Sequence, residues 1–267
     1  MLATATVLGQ SASSLDQIVD RLEKAQTENH AALRPYTVTR HFLVLSGDHD
    51  EKTDSDVKAT VSFVPPDKQD FKIDSATGNE RGVAAVKRIL ESETQMRDQG
   101  TSAGFTRENY NFTSVDKGVD DGRACYVLGL DPKHKEKHLV KGRLWVDAQT
   151  YLPRKVDGEL AKSPSWWVKD VHVTTDFNSV DGMWLPTSTQ AVADLRIFGR
   201  HTLTSQAMNF STGEQVASAM PPQEIRHVAS ETPRPRALVP TTTHVAVKRR
   251  PTRPVPVILG TGVLVER

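Results

Sequence analysis

The chain has 267 residues, of which 37% are hydrophobic and 25% charged; that supplies a core for one large domain or two small ones. Its 34 Lys+Arg and 33 Asp+Glu leave a formal net charge of +1, which argues against a dedicated nucleic-acid binder, because phosphate recognition needs a concentrated basic surface. Cys125 is the single cysteine, so an intramolecular disulfide is impossible, and no segment approaches the roughly 20 apolar residues of a transmembrane helix.

Met1 to Gly9 is mildly apolar and runs into the small residues Gln10–Ser14. Residues 1–13 read as a truncated secretory signal, without its basic start, or as a flexible N-terminus. Ser14-Leu15-Asp16-Gln17 has the form of a capping box, and Leu15, Ile18, Val19 and Leu22 then recur at helical spacing. That helix should end near Ala32, because Pro35 forces the residue before it towards extended backbone. Tyr36 to Leu45 is β-branched and aromatic, and Val57, Ala59, Val61 and Phe63 alternate with polar residues as in a half-buried strand. Phe71 and Ile73 mark a third, short strand. Asn79 is an N-cap for a second helix with Val83, Val86, Ile89 and Leu90 on its apolar face, ending at Gly100.

A short strand is expected around Tyr110 and Phe112, a tight turn at Asp120-Asp121-Gly122, and a strand over Cys125–Leu130. Leu139 to Phe210 then reads as strands and turns with no helix between them. Val156-Asp157-Gly158 and Val180-Asp181-Gly182 are both predicted turns. Beyond residue 212 the pattern dissolves. Eight of the 15 prolines fall between Pro221 and Pro256, and residues 221–267 carry 8 Lys+Arg against 3 Asp+Glu. Residues 213–267 are therefore read as a basic, Pro-rich and largely disordered tail. Two helices, three strands before the second and about seven after it predict an α+β chain, either a layered sheet or an open barrel covered by helices.

The candidate chemistry is thin. His134 and His138 are four apart, but Lys135 stands where a zinc protease needs glutamate, and lysines surround the pair. Asp48, His49 and Asp50 sit at a predicted hairpin tip, where groups keep ordinary pKa values. Cys125 lies in an apolar strand and reads as a buried structural thiol. No nucleophile elbow, phosphate loop or dinucleotide fingerprint occurs, so no catalytic residue, metal ligand or cofactor is assigned. Trp145, Trp166, Trp167 and Trp184 lie close in sequence. Trp166 and Trp167 are adjacent, so on a strand they face opposite sides, and Trp167 is placed inward with Val171 and Val173.

The helix Leu15–Arg21, the segment Gly142-Arg143-Leu144-Trp145-Val146-Asp147 with Tyr151-Leu152-Pro153-Arg154-Lys155, and Phe177-Asn178-Ser179-Val180-Asp181-Gly182-Met183-Trp184-Leu185-Pro186 together resemble the outer-membrane lipoprotein-sorting superfamily of LolA/LolB-like and RseB-like periplasmic proteins. The resemblance covers residues 14–212. It implies an incomplete antiparallel β-barrel of about 10 strands whose open side is covered by helices. It also implies a periplasmic, non-enzymatic monomer without cofactor, holding lipid or lipoprotein acyl chains in an apolar cavity and meeting a membrane-bound delivery or release partner. A LolB-like membrane anchor is not expected, since no cysteine lies near the N-terminus, and the tail has no counterpart in the carrier pattern. Val57, Val61 and Phe63 share one strand face, and Val140, Leu144 and Val146 share another; with Phe71, Trp167 and Leu185 they are the expected cavity wall. Burial there would stabilise an acyl chain by roughly 0.8 kcal/mol per methylene. Alternatives are a sensor or regulatory interaction protein of the same fold, an interaction domain with a filled core, and a hydrolase with a dispersed site.

Overall fold

The Ser14 capping box closes as the sequence predicts: Ser14 Oγ accepts from the Gln17 N–H, and Gln17 Oε1 accepts from the Ser14 N–H. It starts α1 (Leu15–Ala31), which buries Ile18, Val19 and Leu22. The computed structural model describes residues 14–47, 52–99, 104–164, 166, 168–197 and 199–212. The N-terminal segment 1–13, the hairpin tip with Asp48, His49 and Asp50, Trp167, and the Pro-rich tail lie outside the described residues.

Three antiparallel strands follow α1: β1 (Tyr36–Ser46), β2 (Lys52–Val64) and β3 (Lys68–Gly78). Helix α2 (Glu80–Asp98) is capped by Asn79, whose side chain accepts from the Arg81 N–H. Seven further strands complete the described chain: β4 (Tyr110–Asp120), β5 (Arg123–Pro132), β6 (Val140–Asp147), β7 (Pro153–Leu160), β8 (Val168–Val180), β9 (Met183–Leu195) and β10 (Gly199–Thr212).

Some elements depart from their predicted extents. β3 and β4 are longer than the apolar pairs that announced them. Ser75 to Gly78 are polar or small, yet they stay paired with β2 from Lys58 back to Ser55, since a backbone ladder needs a partner strand more than it needs apolar side chains. The predicted turn at Val156-Asp157-Gly158 is a correction: it lies inside β7. Gly158 pairs with Gly142 of β6, and a Cβ on either glycine would collide with the facing backbone. These glycines allow close strand approach. Asp181-Gly182, by contrast, is a turn, with φ of 49° and 78°.

The strands form one antiparallel sheet in the order β3-β2-β1-β10-β9-β8-β7-β6-β5-β4. Pairing of β1 with β10 joins the N-terminal hairpins to the long meander. β3 and β4 are left as the two edges, and α2 lies in the connection between them. The result is an incomplete barrel. Its open side is covered by helices: α2 packs with β1 and β2 in one apolar cluster, around Phe42, Val57 and Phe63, while α1 packs with β4 to β7 in another, around Tyr110, Leu128 and Leu144.

Candidate functional site

Each helix changes character halfway along. In α1 the buried residues stop at Leu22, and Gln26, Asn29 and His30 continue the same face. In α2 the apolar run stops at Leu90, and Glu93, Met96 and Arg97 continue it. The N-terminal halves are packed into the two clusters. The C-terminal halves span a cavity of about 760 Å³ between the helices and the concave face of the sheet, a volume in the range of small-molecule sites.

The sheet side of the cavity is mostly apolar. Val38 and Val61 contribute from β1 and β2, Val140 and Val156 from β6 and β7, Phe177, Trp184 and Leu185 from β8 and β9, and Ala207 and Phe210 from β10. Of the residues expected at the wall, Val61, Val140 and Leu185 line it. Val57, Phe63, Leu144 and Val146 are fully buried inside the two clusters and do not reach the lining, and Phe71 packs on the outside of the first cluster. Alternation had placed them on the correct face; distance from the helices decides which of them meet the space.

Polar groups fasten the helices over this cavity. Gln26 clamps the backbone of Phe105: its Nε2 donates to the carbonyl at 2.9 Å and its Oε1 accepts from the N–H at 3.1 Å. Asn29 clamps Trp184 of β9 in the same way, at 2.9 and 2.8 Å. Across from them, Arg40 of β1 forms a close ion pair with Glu93 of α2, and its Nε and Nη2 donate to Ser205 Oγ at 3.2 and 3.1 Å. His30 and Asp67 approach to 3.8 Å at partly exposed positions. Burial holds the Tyr36 hydroxyl above its usual range although Arg97 and Arg40 oppose this, and burial lowers His138, with Glu136 opposing.

Sequence reasoning missed the clamps, the Arg40–Glu93 pair and the lining residues Gln69, Arg97 and Phe105. The available signal was the point at which each helix's apolar stripe gives way to polar residues at the same spacing.

The other candidates are scattered, and of them His138 and Trp184 reach the cavity. His134 is exposed in the loop between β5 and β6. Cys125 is buried, and desolvation raises its thiol above the ordinary range, with the nearby Arg154 opposing; a protonated thiol is a poor nucleophile. The tryptophans divide. Trp145 lies on the face opposite Leu144, with Arg143 and Lys155 over its ring at 5.5 and 6.0 Å. Trp166 is 78% exposed. Trp184 lines the cavity, its Nε1 donating to the Pro153 carbonyl.

A family model described as uncharacterized protein matches residues 80–214. No curated protein matches the sequence. Among solved structures, the chain is similar to an outer membrane lipoprotein-sorting protein domain from Vibrio parahaemolyticus at 12% identity and a TM-score of 0.44, covering 73% of this chain and 92% of that one. It is similar to a LolA superfamily protein from Nitrosomonas europaea at 12% identity and a TM-score of 0.39, covering 76% and 95%. It is also similar to MucB at 11% identity and a TM-score of 0.27, covering 78% and 97%. These structures bear the superfamily names that the sequence itself resembles. With every TM-score below 0.5, the fold rests on the strand order and register of this chain.

Proposed function

We propose that this chain, which belongs to the family of uncharacterized proteins whose model it matches, is a non-enzymatic periplasmic carrier that takes acyl chains of lipoproteins or other lipids into the cavity. The observation that carries this reading is the space of about 760 Å³ between the apolar concave face of the sheet and the two helices. An interaction domain with a filled core has no such space. Transfer of an acyl chain from water into it is favourable by about 0.8 kcal/mol per methylene, so a long chain binds without covalent chemistry.

A second surface favours a partner. Trp166 and Ile197 are 78% and 72% exposed, and the Arg196 Nε donates to the Trp166 carbonyl at 2.9 Å, which ties the two loops together. These two exposed side chains, on loops joined in this way, are the surface we propose for a membrane-bound delivery or release partner, or for a regulatory partner on a sensor of the same fold.

Organic extraction of the purified protein followed by mass spectrometry tests the carrier reading. Co-purifying lipid in near-stoichiometric amount is the expected result. A protein that yields no lipid and leaves a fluorescent fatty acid unbound is not a carrier.

A further inference from the structure

Three elements bring hydrogen-bond donors to one end of the cavity. Tyr36 of β1 pairs with Phe63 of β2, and Phe63 pairs with Gln69 of β3. The three side chains therefore form one buried row across neighbouring strands. Tyr36 and Phe63 pack with ring centroids 5.2 Å apart. Arg97, in the last turn of α2, lays its guanidinium over the Phe63 ring, 5.0 Å from the centroid. Phe63 thus supports Arg97 from beneath, and Tyr36, Gln69 and Arg97 line the cavity itself.

Two observations point to a ligand here. Gln69 is only 6% exposed, and its Nε2 is buried with no hydrogen-bond partner. A buried donor left unpaired is destabilising, and Gln69 belongs to the cavity lining, so a turn of its amide brings that donor to an acceptor on whatever the cavity takes up. The second is a charge imbalance. Arg40 is matched by Glu93, whereas Arg97 has no carboxylate within 4.0 Å among the described residues. Burial keeps the Tyr36 hydroxyl protonated, so it too can donate.

We propose that this end of the cavity is a head-group site for the carboxylate of a long-chain fatty acid, held by Arg97, Gln69 and Tyr36. A planar carboxylate accepts two parallel N–H bonds from a guanidinium, and the Gln69 amide and Tyr36 hydroxyl supply further donors. The acyl chain then runs along the apolar wall towards Val140 and Phe177. The inference rests on the carrier reading and narrows its cargo to single-chain amphiphiles with an anionic head. A lysophospholipid phosphate shares that anionic chemistry and is the competing source.

The test uses the full chain with two fluorescent probes, cis-parinaric acid and its methyl ester, which share a chain and differ in the head. The expected result is at least tenfold tighter binding of the acid at neutral pH. Arg97→Met and Gln69→Leu should each erase most of that preference and leave ester affinity within about twofold. Gln69→Leu removes an unpartnered amide, so it keeps the test alive if Arg97→Met fails to fold. Equal affinity of the wild type for acid and ester, or equal loss of both probes in the variants, overturns the head-group site and leaves the carrier reading standing. Binding of neither probe overturns both. Displacement of the acid probe at least tenfold better by lysophosphatidate than by palmitate overturns the carboxylate in favour of phosphate.

Discussion

Helix α2 is fastened to the sheet by its core face and an ion pair withdrawn from water, whereas α1 is fastened by amides that grip backbone and by an arginine in solvent. The Arg40 and Glu93 side chains are 18% and 12% exposed. On the other helix, Arg107 is 38% exposed and reaches Asp20 at 2.8 Å, Glu23 at 3.0 Å and Asp16 at 3.4 Å. Both helices have a packed first half and a second half that roofs the cavity. The difference lies in what secures the roof. An ion pair with little solvent is severely destabilising when half of it is removed, whereas hydrogen bonds open locally at modest cost. The expected consequence is that α2 is the more rigid wall and α1 the more compliant one.

Removing the Glu93 charge should give the largest effect. Glu93→Gln keeps the side-chain shape but leaves Arg40 without its counter-charge, and the loss should be about 3 kcal/mol, read as a lower midpoint in urea unfolding at unchanged slope. The double variant Arg40→Met with Glu93→Leu replaces both charges by apolar groups and should recover most of that loss. A single-variant loss below about 1 kcal/mol, in the range of exposed pairs, would erase the contrast between the helices.

That contrast was only half legible in the sequence. The Ser14 capping box, the Asn79 cap and the apolar residues from Leu15 to Leu22 and from Val83 to Leu90 announced both helices, because capping and 3.6-residue periodicity are local properties. The alternation of Val57, Val61 and Phe63 announced a buried strand face for the same reason. The cavity was not legible residue by residue. Val61 lines it and Val57 does not, although they stand on one face, because the outcome depends on which turn of a distant helix lies above each. Gly158 was misread for a related cause: Asp-Gly is turn chemistry in isolation, and only its pairing with Gly142 reveals a close crossing of strands. Nothing local marked Gln26 and Asn29, since their partners Phe105 and Trp184 are 79 and 155 residues away.

The amide clamps supply the next test, with a smaller effect. Gln26→Ala and Asn29→Ala each remove two hydrogen bonds to backbone, and each should lower stability by about 1–2 kcal/mol. The more telling measurement is amide hydrogen exchange. Protection should fall across residues 26–32 of α1 and persist from Ile18 to Leu22, where the helix is packed into the cluster around Leu128 and Leu144. Loss of protection along the whole helix would show that the clamps and the packed half open as one unit, and that α1 has no separate compliant segment.

The smallest effect belongs to Arg107, and it separates charge from hydrogen bonding on α1. The guanidinium sits among Asp16, Asp20 and Glu23 on the solvent side of the helix, and the Arg107 backbone N–H independently donates to Glu23 Oε1 at 2.6 Å. Arg107→Gln leaves that backbone bond in place and removes the charge, so the loss should stay below about 1 kcal/mol. It should shrink further as ionic strength rises from about 0.01 to 1 M, over which the screening length falls from about 30 to 3 Å. The corresponding loss in Glu93→Gln should change little over the same range, because that pair is screened mainly by protein. Unfolding midpoints of both variants at the two salt concentrations would make the comparison directly: parallel salt dependence would mean that the two helices are held by the same kind of interaction, and divergent salt dependence that they are not.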